Sequence, residues 1–403
     1  MDSNVNMKGE LVLETVNKKS IKISVFSIAF VLGLNIAGVS PILGLLDKVF
    51  KEEGANAVQT LQTMPYFLLM VASIFVGWLV TKISKRKLVL GGLIIIAFVG
   101  TSPLIVDNFS FMMISRVIIG FGFGIVSPLN AAIISEFFEG KDRAALMGIH
   151  VTGMGIGSIF INIIGGMLGK FGYQRFFLVH LIALVAFVIV IYQLPDTGVQ
   201  VSSTTQKLKL NRMVFELSIT SFFHTLFITA YLTNIGTHIL GNLNGSPALT
   251  GIVTAVQGGF ALVVGLNFSK ISSSLKQNTL PFSIFIASLG YLSITVLPAN
   301  MIGIFFGSAC LGVSLSCFMA QASYMISVSV PQIAIALANG VFAVIGGIGG
   351  LLSPIILNTI SNNIFGNITT SKVFTICTIG MLLLSIFSYI LVIYRTSSRV
   401  NEL

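Results

Sequence analysis

Apolar stretches of about 20 residues recur along this chain, separated by short polar breaks. Each is long enough to cross roughly 30 Å of hydrocarbon. Backbone amides in lipid must pair within their own segment, so such runs are helices. The pattern predicts twelve, over 23–46, 61–81, 88–106, 111–138, 146–169, 176–194, 213–240, 248–270, 280–298, 301–328, 336–360 and 373–394. The longest internal polar stretch, 195–212, is rich in Ser, Thr, Gln and Lys and splits the set six and six. The expected fold is an all-α membrane protein. It has an N-tail (1–22), a first six-helix bundle (23–194), a linker (195–212), a second bundle (213–394) and a C-tail (395–403).

The two halves echo each other. GWLVTKISKRK at Gly77 returns as GLNFSKISSSLK at Gly265, 188 residues on. The run Ala144-Ala145-Leu146-Met147-Gly148 returns as Ala336-Leu337-Ala338-Asn339-Gly340, 192 residues on. The first and seventh spans start at 23 and 213. Offsets this similar indicate a duplicated six-helix unit, a design in which parallel repeats rock around a central site.

Composition removes a soluble globular reading. Hydrophobic residues make up 55% and charged residues 9%, with a mean hydropathy of +0.97. The net charge of +10 is a topology signal and does not point to nucleic acid. Seventeen Lys and Arg fall in the tails and in alternate loops at 82–87, 139–145, 195–212 and 270–279; the intervening loops hold five. The positive-inside rule then places both termini in the cytoplasm. Helix 1 reads as an uncleaved anchor, since no A-x-A-like site ends the first apolar run. The three cysteines form no disulfide framework: Cys310 and Cys317 lie about 10 Å apart along one helix.

The densest charge cluster, Lys82, Lys85, Arg86 and Lys87, sits between the second and third spans. Read as G-x-L-x-x-K-x-x-K-R from Gly77, it resembles the gating-loop motif of the major facilitator superfamily, and Arg116 with Gly120 resembles that family's motif in the fourth helix. In the fifth span Gly157, Ile161-Asn162 and Gly165-Gly166 stand where the twelve-helix drug–proton antiporter branch carries its own motif. The resemblance implies two pseudo-symmetric six-helix bundles and transport by alternating access. In the family the loop carries an aspartate that latches the outward-open state; here that position is Thr81, and Ser84 replaces the second glycine. The latch is expected to be weaker or moved to another acid, Glu136 or Asp142.

Arg116 is the one charge well inside a span, and a guanidinium there must be paired, face water or snorkel outward. It is a candidate for proton coupling or anion binding. Eleven of the 13 Asp and Glu residues fall in loops or tails; Glu136 and Glu216, near cytoplasmic helix ends, are further candidates for proton coupling. Asn35 stands where several relatives place a carboxylate. A buried cation needs a counter-charge, so this scarcity favours neutral, amphipathic or anionic substrates. Titration near neutral pH makes His150, His180 and His224 candidates for carrying a proton, or ordinary packing residues. His224 is preferred, with Tyr231 and Asn234 further along the same helix. Asn35, Gln62, Asn130, Gln257, Gln321 and Asn339 are the other polar residues in mid-helix. They suit a hydrogen-bonding substrate cavity, or equally glue between helices.

No phosphate loop, zinc-ligand spacing or acid–histidine–nucleophile set is present. An enzyme, a cofactor, a metal and a nucleic-acid partner are therefore not expected. The expected function is proton-coupled export of a small amphipathic compound by a monomer in a bacterial inner membrane. The alternatives are uptake or exchange of an organic anion or polar metabolite, and a receptor or assembly factor that does not transport.

Overall fold

The computed structural model describes residues 17–138, 140–199, 211–330 and 335–400. Most of the predicted N-tail, most of the linker and the last three residues lie outside them. In chain order the helices are α1 Lys18–Ala37, α2 Ser40–Val49, α3 Ala55–Thr63, α4 Pro65–Leu79, α5 Lys85–Thr101 and α6 Phe109–Phe137. There follow α7 Gly140–Phe160, α8 Gly166–Gly169, α9 Tyr173–Phe176, α10 Ile182–Gln193 and α11 Arg212–Asn242. The last five are α12 Pro247–Leu275, α13 Thr279–Val296, α14 Met301–Ser329, α15 Ile335–Phe365 and α16 Thr370–Val400. Among the described residues there is no strand.

Several starts are fixed locally. Asn108 and Asn211 accept the Phe111 and Val214 amides, and Asn300 accepts those of Ile302 and Gly303. Each satisfies donors that a first turn leaves open. Eleven apolar helical runs among the described residues are long enough to cross a membrane. One of them, Pro247–Val296, has 50 residues and is α12 plus α13, reversed by the turn Lys276–Asn278. Counted apart, these give the twelve spans that hydropathy predicts. The chain is a multi-pass membrane protein. The second span begins at Ala55 rather than 61, because the polar Asn56 and Gln59 find protein partners.

Packing divides the chain into two compact units, residues 1–38 with 64–205 and residues 39–63 with 206–403. The division therefore does not follow the linker alone: 39–63, expected in the first bundle, packs with the second. The chain changes unit inside two membrane spans. At the first crossing Gly38 has φ 55° and ψ −131°, a conformation open essentially to glycine. At the second, α3 stops at Thr63 and α4 restarts on Pro65, whose ring and missing N–H interrupt a helix.

In the first unit α1 packs on α7 and α10, α4 on α6, and α5 on α6 and α10. In the second α11 packs on α15 and α16, α12 on α14, and α13 on α14 and α16. These are the same pairings one repeat later. The closest backbone approaches repeat too. A Cβ on Gly120 would lie 2.1 Å from the Pro65 carbonyl oxygen, and one on Gly312 the same distance from that of Gln257. A Cβ on Gly157 would meet the Phe30 oxygen at 2.0 Å, and one on Gly349 the Phe222 oxygen at 2.2 Å. In both sets the second pair lies 192 residues after the first (120 to 312, 157 to 349), so the duplication extends to the contacts that set helix spacing.

Candidate functional site

The basic loop is built into its own unit. Lys85 Nζ lies 3.0 Å from Glu136 Oε2 near the end of α6, with both side chains mostly buried. The Arg86 guanidinium donates to the Ile191 carbonyl in the last turn of α10, where helix carbonyls lack partners and attract a cation. Thr81 donates to the Trp78 oxygen at 2.8 Å and caps its own helix. Lys82, Asp142 and Lys87 are exposed. Of the two acids expected to stand in for the family's aspartate, Glu136 contacts the loop. Gly77 has open space where a Cβ would go, so its contribution to this arrangement is not steric.

Arg116 is only 2% exposed, which excludes the snorkelling alternative. It lies within electrostatic reach of Tyr66 on α4 and His180. His180 Nδ1 faces the Phe177 carbonyl at 3.1 Å, and a carbonyl only accepts, so the ring's Nε2 carries the lone pair. Elsewhere in this unit Asn130 on α6 donates to the Val25 carbonyl at 3.2 Å and to His150 Nδ1 on α7 at 2.7 Å. The Asn130 oxygen is buried with no partner among the described residues. Asn35 is half-buried on α1. Gly165 packs against the Phe176 ring, and Gly166 is buried at the start of α8.

In the second unit the segment 39–63 is held by a chain of uncharged amides. Gln59 Nε2 donates to Asn234 Oδ1 on α11 at 2.9 Å. Asn358 Nδ2 on α15 donates to Gln59 Oε1 at 2.9 Å and to Asn56 Oδ1 at 2.6 Å. Gln62 accepts the Val39 amide at 2.7 Å and closes the segment on itself. A Cβ on Gly44 would lie 2.5 Å from the Gly236 backbone, so α2 and α11 meet backbone to backbone. Asn234 thus belongs to an amide network whose other members, Asn56, Gln59 and Asn358, escaped sequence reasoning, while Gln62 braces the same segment separately.

His224 and Tyr231 do share a face of α11, but it points into the bundle and not towards an open cavity. His224 Nε2 lies 3.2 Å from Ser314 Oγ, and its ring stacks on Phe318 at 3.8 Å. Its Nδ1 is buried without a partner among the described residues. The Tyr231 hydroxyl meets Ser308 Oγ at 2.6 Å. Gln257 is buried, Gln321 accepts from Ser272 at 3.0 Å, and Asn339 is half-buried. Glu216 forms an i, i+4 pair with Arg212 at 2.7 Å, whose side chain is 82% exposed. Such a pair stabilises little, about 0–1 kcal/mol. No Asp or Glu is among the buried side chains of the described residues. Sequence reasoning also passed over His238, which bridges Thr370 and the Pro298 carbonyl, each at 2.9 Å.

This architecture has known counterparts. The family model described as Major Facilitator Superfamily matches residues 25–215. That match covers 191 of the 403 residues, just under half of the chain. Among similar curated members, the multidrug efflux pump SdrM of Staphylococcus aureus is 25% identical over 262 residues, 64% of this chain and 54% of the relative. The quinolone resistance protein NorA of S. aureus is 25% identical over 245 residues, 58% of this chain and 63% of the relative. The match thus spans between half and two thirds of each relative's length. Among solved structures, the POT family transporter PepTSo superposes with a TM-score of 0.76 over 95% of this chain and 99% of that one, at 13% identity. A bacterial homologue of the human lysosomal transporter Spinster gives a TM-score of 0.70. At these identities the likeness establishes the major facilitator fold alone.

Proposed function

We propose that this chain is a major facilitator superfamily member and a secondary active transporter that exports small amphipathic compounds by alternating access, in exchange for protons. The observation that carries the reading is the double crossing between units at Gly38 and Pro65. Two duplicated bundles are joined through breaks inside membrane spans, and such breaks are where rigid bodies turn against each other. The uncharged amide network holds 39–63 on the second unit, so the breaks at its two ends, and not the network, take up the motion.

With no buried carboxylate among the described residues, we take histidine as the proton carrier. His150 is half-buried against Asn130, and His224 keeps an unpartnered Nδ1; we assign coupling to these two. Arg116, with Tyr66 and His180, supplies a buried permanent charge and suits zwitterionic or anionic groups better than cations. The relatives' names point to drug-like cargo, and quinolones are zwitterionic amphiphiles. The alternation of basic loops supports cytoplasmic termini, and we take the working form to be a monomer.

The test is flux into proteoliposomes. An acidic lumen drives quinolone accumulation by the wild type, and His150→Ala with His224→Ala abolishes the dependence on the gradient. Accumulation that ignores the gradient, or that appears only by counterflow, overturns proton exchange. Arg116→Ala lowers flux at least tenfold if it contacts cargo, read from the same assay.

A further inference from the structure

The second copy of the loop motif, at Gly265, has a different fate from the first. Where the Gly77 copy is pinned by Glu136 and Ile191, the Gly265 copy lines a pocket of about 700 Å³ within the second unit. Its walls come from the end of α12, the turn that follows, the start of α11 and the ends of α14 and α16. Lys276 stands at the rim, its backbone in the left-handed region at φ 50° and its residue exposed. No acid lines the pocket, and Lys276 forms no ion pair among the described residues.

Deeper in, Gln321 is 4% exposed. Its carbonyl accepts from Ser272, while its Nε2 makes no hydrogen bond among the described residues and is not sealed from the pocket. A buried amide with two free N–H groups in a cavity is a donor awaiting an acceptor. Beside these donors the wall is apolar: Phe268 lies eight residues, about 12 Å, before Lys276 along α12, with Met325 and the 64% exposed Val328 on α14. The pocket therefore offers a cation at the helix ends, a neutral donor next, and exposed hydrocarbon alongside. A ligand that matches carries a negative head, ester or hydroxyl oxygens behind it and an apolar tail.

We propose that this pocket is a binding site for an anionic phospholipid of the surrounding bilayer, with Lys276 on the phosphate, Gln321 on the glycerol-ester oxygens and the upper acyl carbons against Phe268, Met325 and Val328. A lipid fits better than a transported solute because every wall belongs to one unit and lies where its helices end. Lys276, exposed at the pocket, is also placed to attract an anionic headgroup.

The test uses the purified full-length protein and involves no transport, so its outcome is independent of the function proposed above. Retained lipid is read by native mass spectrometry and stability by thermal unfolding, with phosphatidylglycerol, phosphatidylcholine or glycerol phosphate added. Phosphatidylglycerol is retained over phosphatidylcholine and raises the melting temperature, and glycerol phosphate does neither. Lys276→Gln lowers phosphatidylglycerol retention roughly fivefold, the factor expected for one headgroup-facing cation. Lys270→Gln, outside the pocket, leaves it unchanged, and Gln321→Leu reduces it while Gln321→Asn retains part. Undiminished retention in Lys276→Gln overturns the site. An equal loss in Lys270→Gln shows a diffuse surface effect and also overturns it. If glycerol phosphate stabilises as well as the lipid, the pocket takes a soluble anion and the lipid assignment fails.

Discussion

At Gly120 and Gly312 a methyl group has no room, because the carbonyl of a neighbouring helix occupies its place. Exchanging either for alanine forces two backbones apart and costs about 1–3 kcal/mol. Gly120→Ala and Gly312→Ala should lower the melting temperature of the purified protein in detergent by similar amounts, while Gly77→Ala leaves it unchanged. Equal melting of all three would remove the close approach as a determinant of packing. The Lys85–Glu136 pair permits a sharper measurement. A double-mutant cycle with Lys85→Met and Glu136→Gln should give a coupling of about 0.5–1 kcal/mol that weakens with salt. Sequence makes charges easy to find, so the basic loop and Arg116 were legible. Neutral amides carry no such mark: Asn358 meets Gln59 across 299 residues, and nothing local to either reveals the other.

Among the elements, hydropathy locates the spans because lipid demands about 20 apolar residues per crossing. It does not locate breaks within them. Leu34 to Leu46 is apolar almost throughout, yet α1 ends at Ala37 and α2 begins at Ser40. Only glycine's freedom at Gly38, invisible to hydropathy, permits the turn. Gly38→Ala should therefore cost about 1–3 kcal/mol and slow substrate flux in proteoliposomes while leaving substrate binding intact. Wild-type flux and stability together would show that the joint is not used. Inside α11 the reading of one shared face for His224 and Tyr231 was right in register. Its direction was missed, since a polar stripe can serve a bundle's interior as well as a cavity, and only the partners Ser314 and Ser308 decide.

For the whole molecule, the duplicated architecture was legible from offsets in the chain, and its orientation in the membrane is measurable. Cys310, Cys317 and Cys377 are all buried, so introduced cysteines can be labelled over little background. In intact cells a membrane-impermeant maleimide should label Asn363→Cys, which is exposed, and reach Asn278→Cys, in the exposed turn after α12, only once the membrane is broken. The reverse order would place the tails outside. The passage of 39–63 into the second unit has a further consequence, for what can be cut. A chain divided between residues 199 and 211 does not yield two self-sufficient halves. The later fragment would leave the α11 surface around Gly236 and the amides of Asn234 and Asn358 facing nothing. The earlier one would carry the missing piece with nowhere to lay it. Expressed alone, the later fragment should be degraded; expressed with its counterpart it should accumulate, each half completing the other's fold.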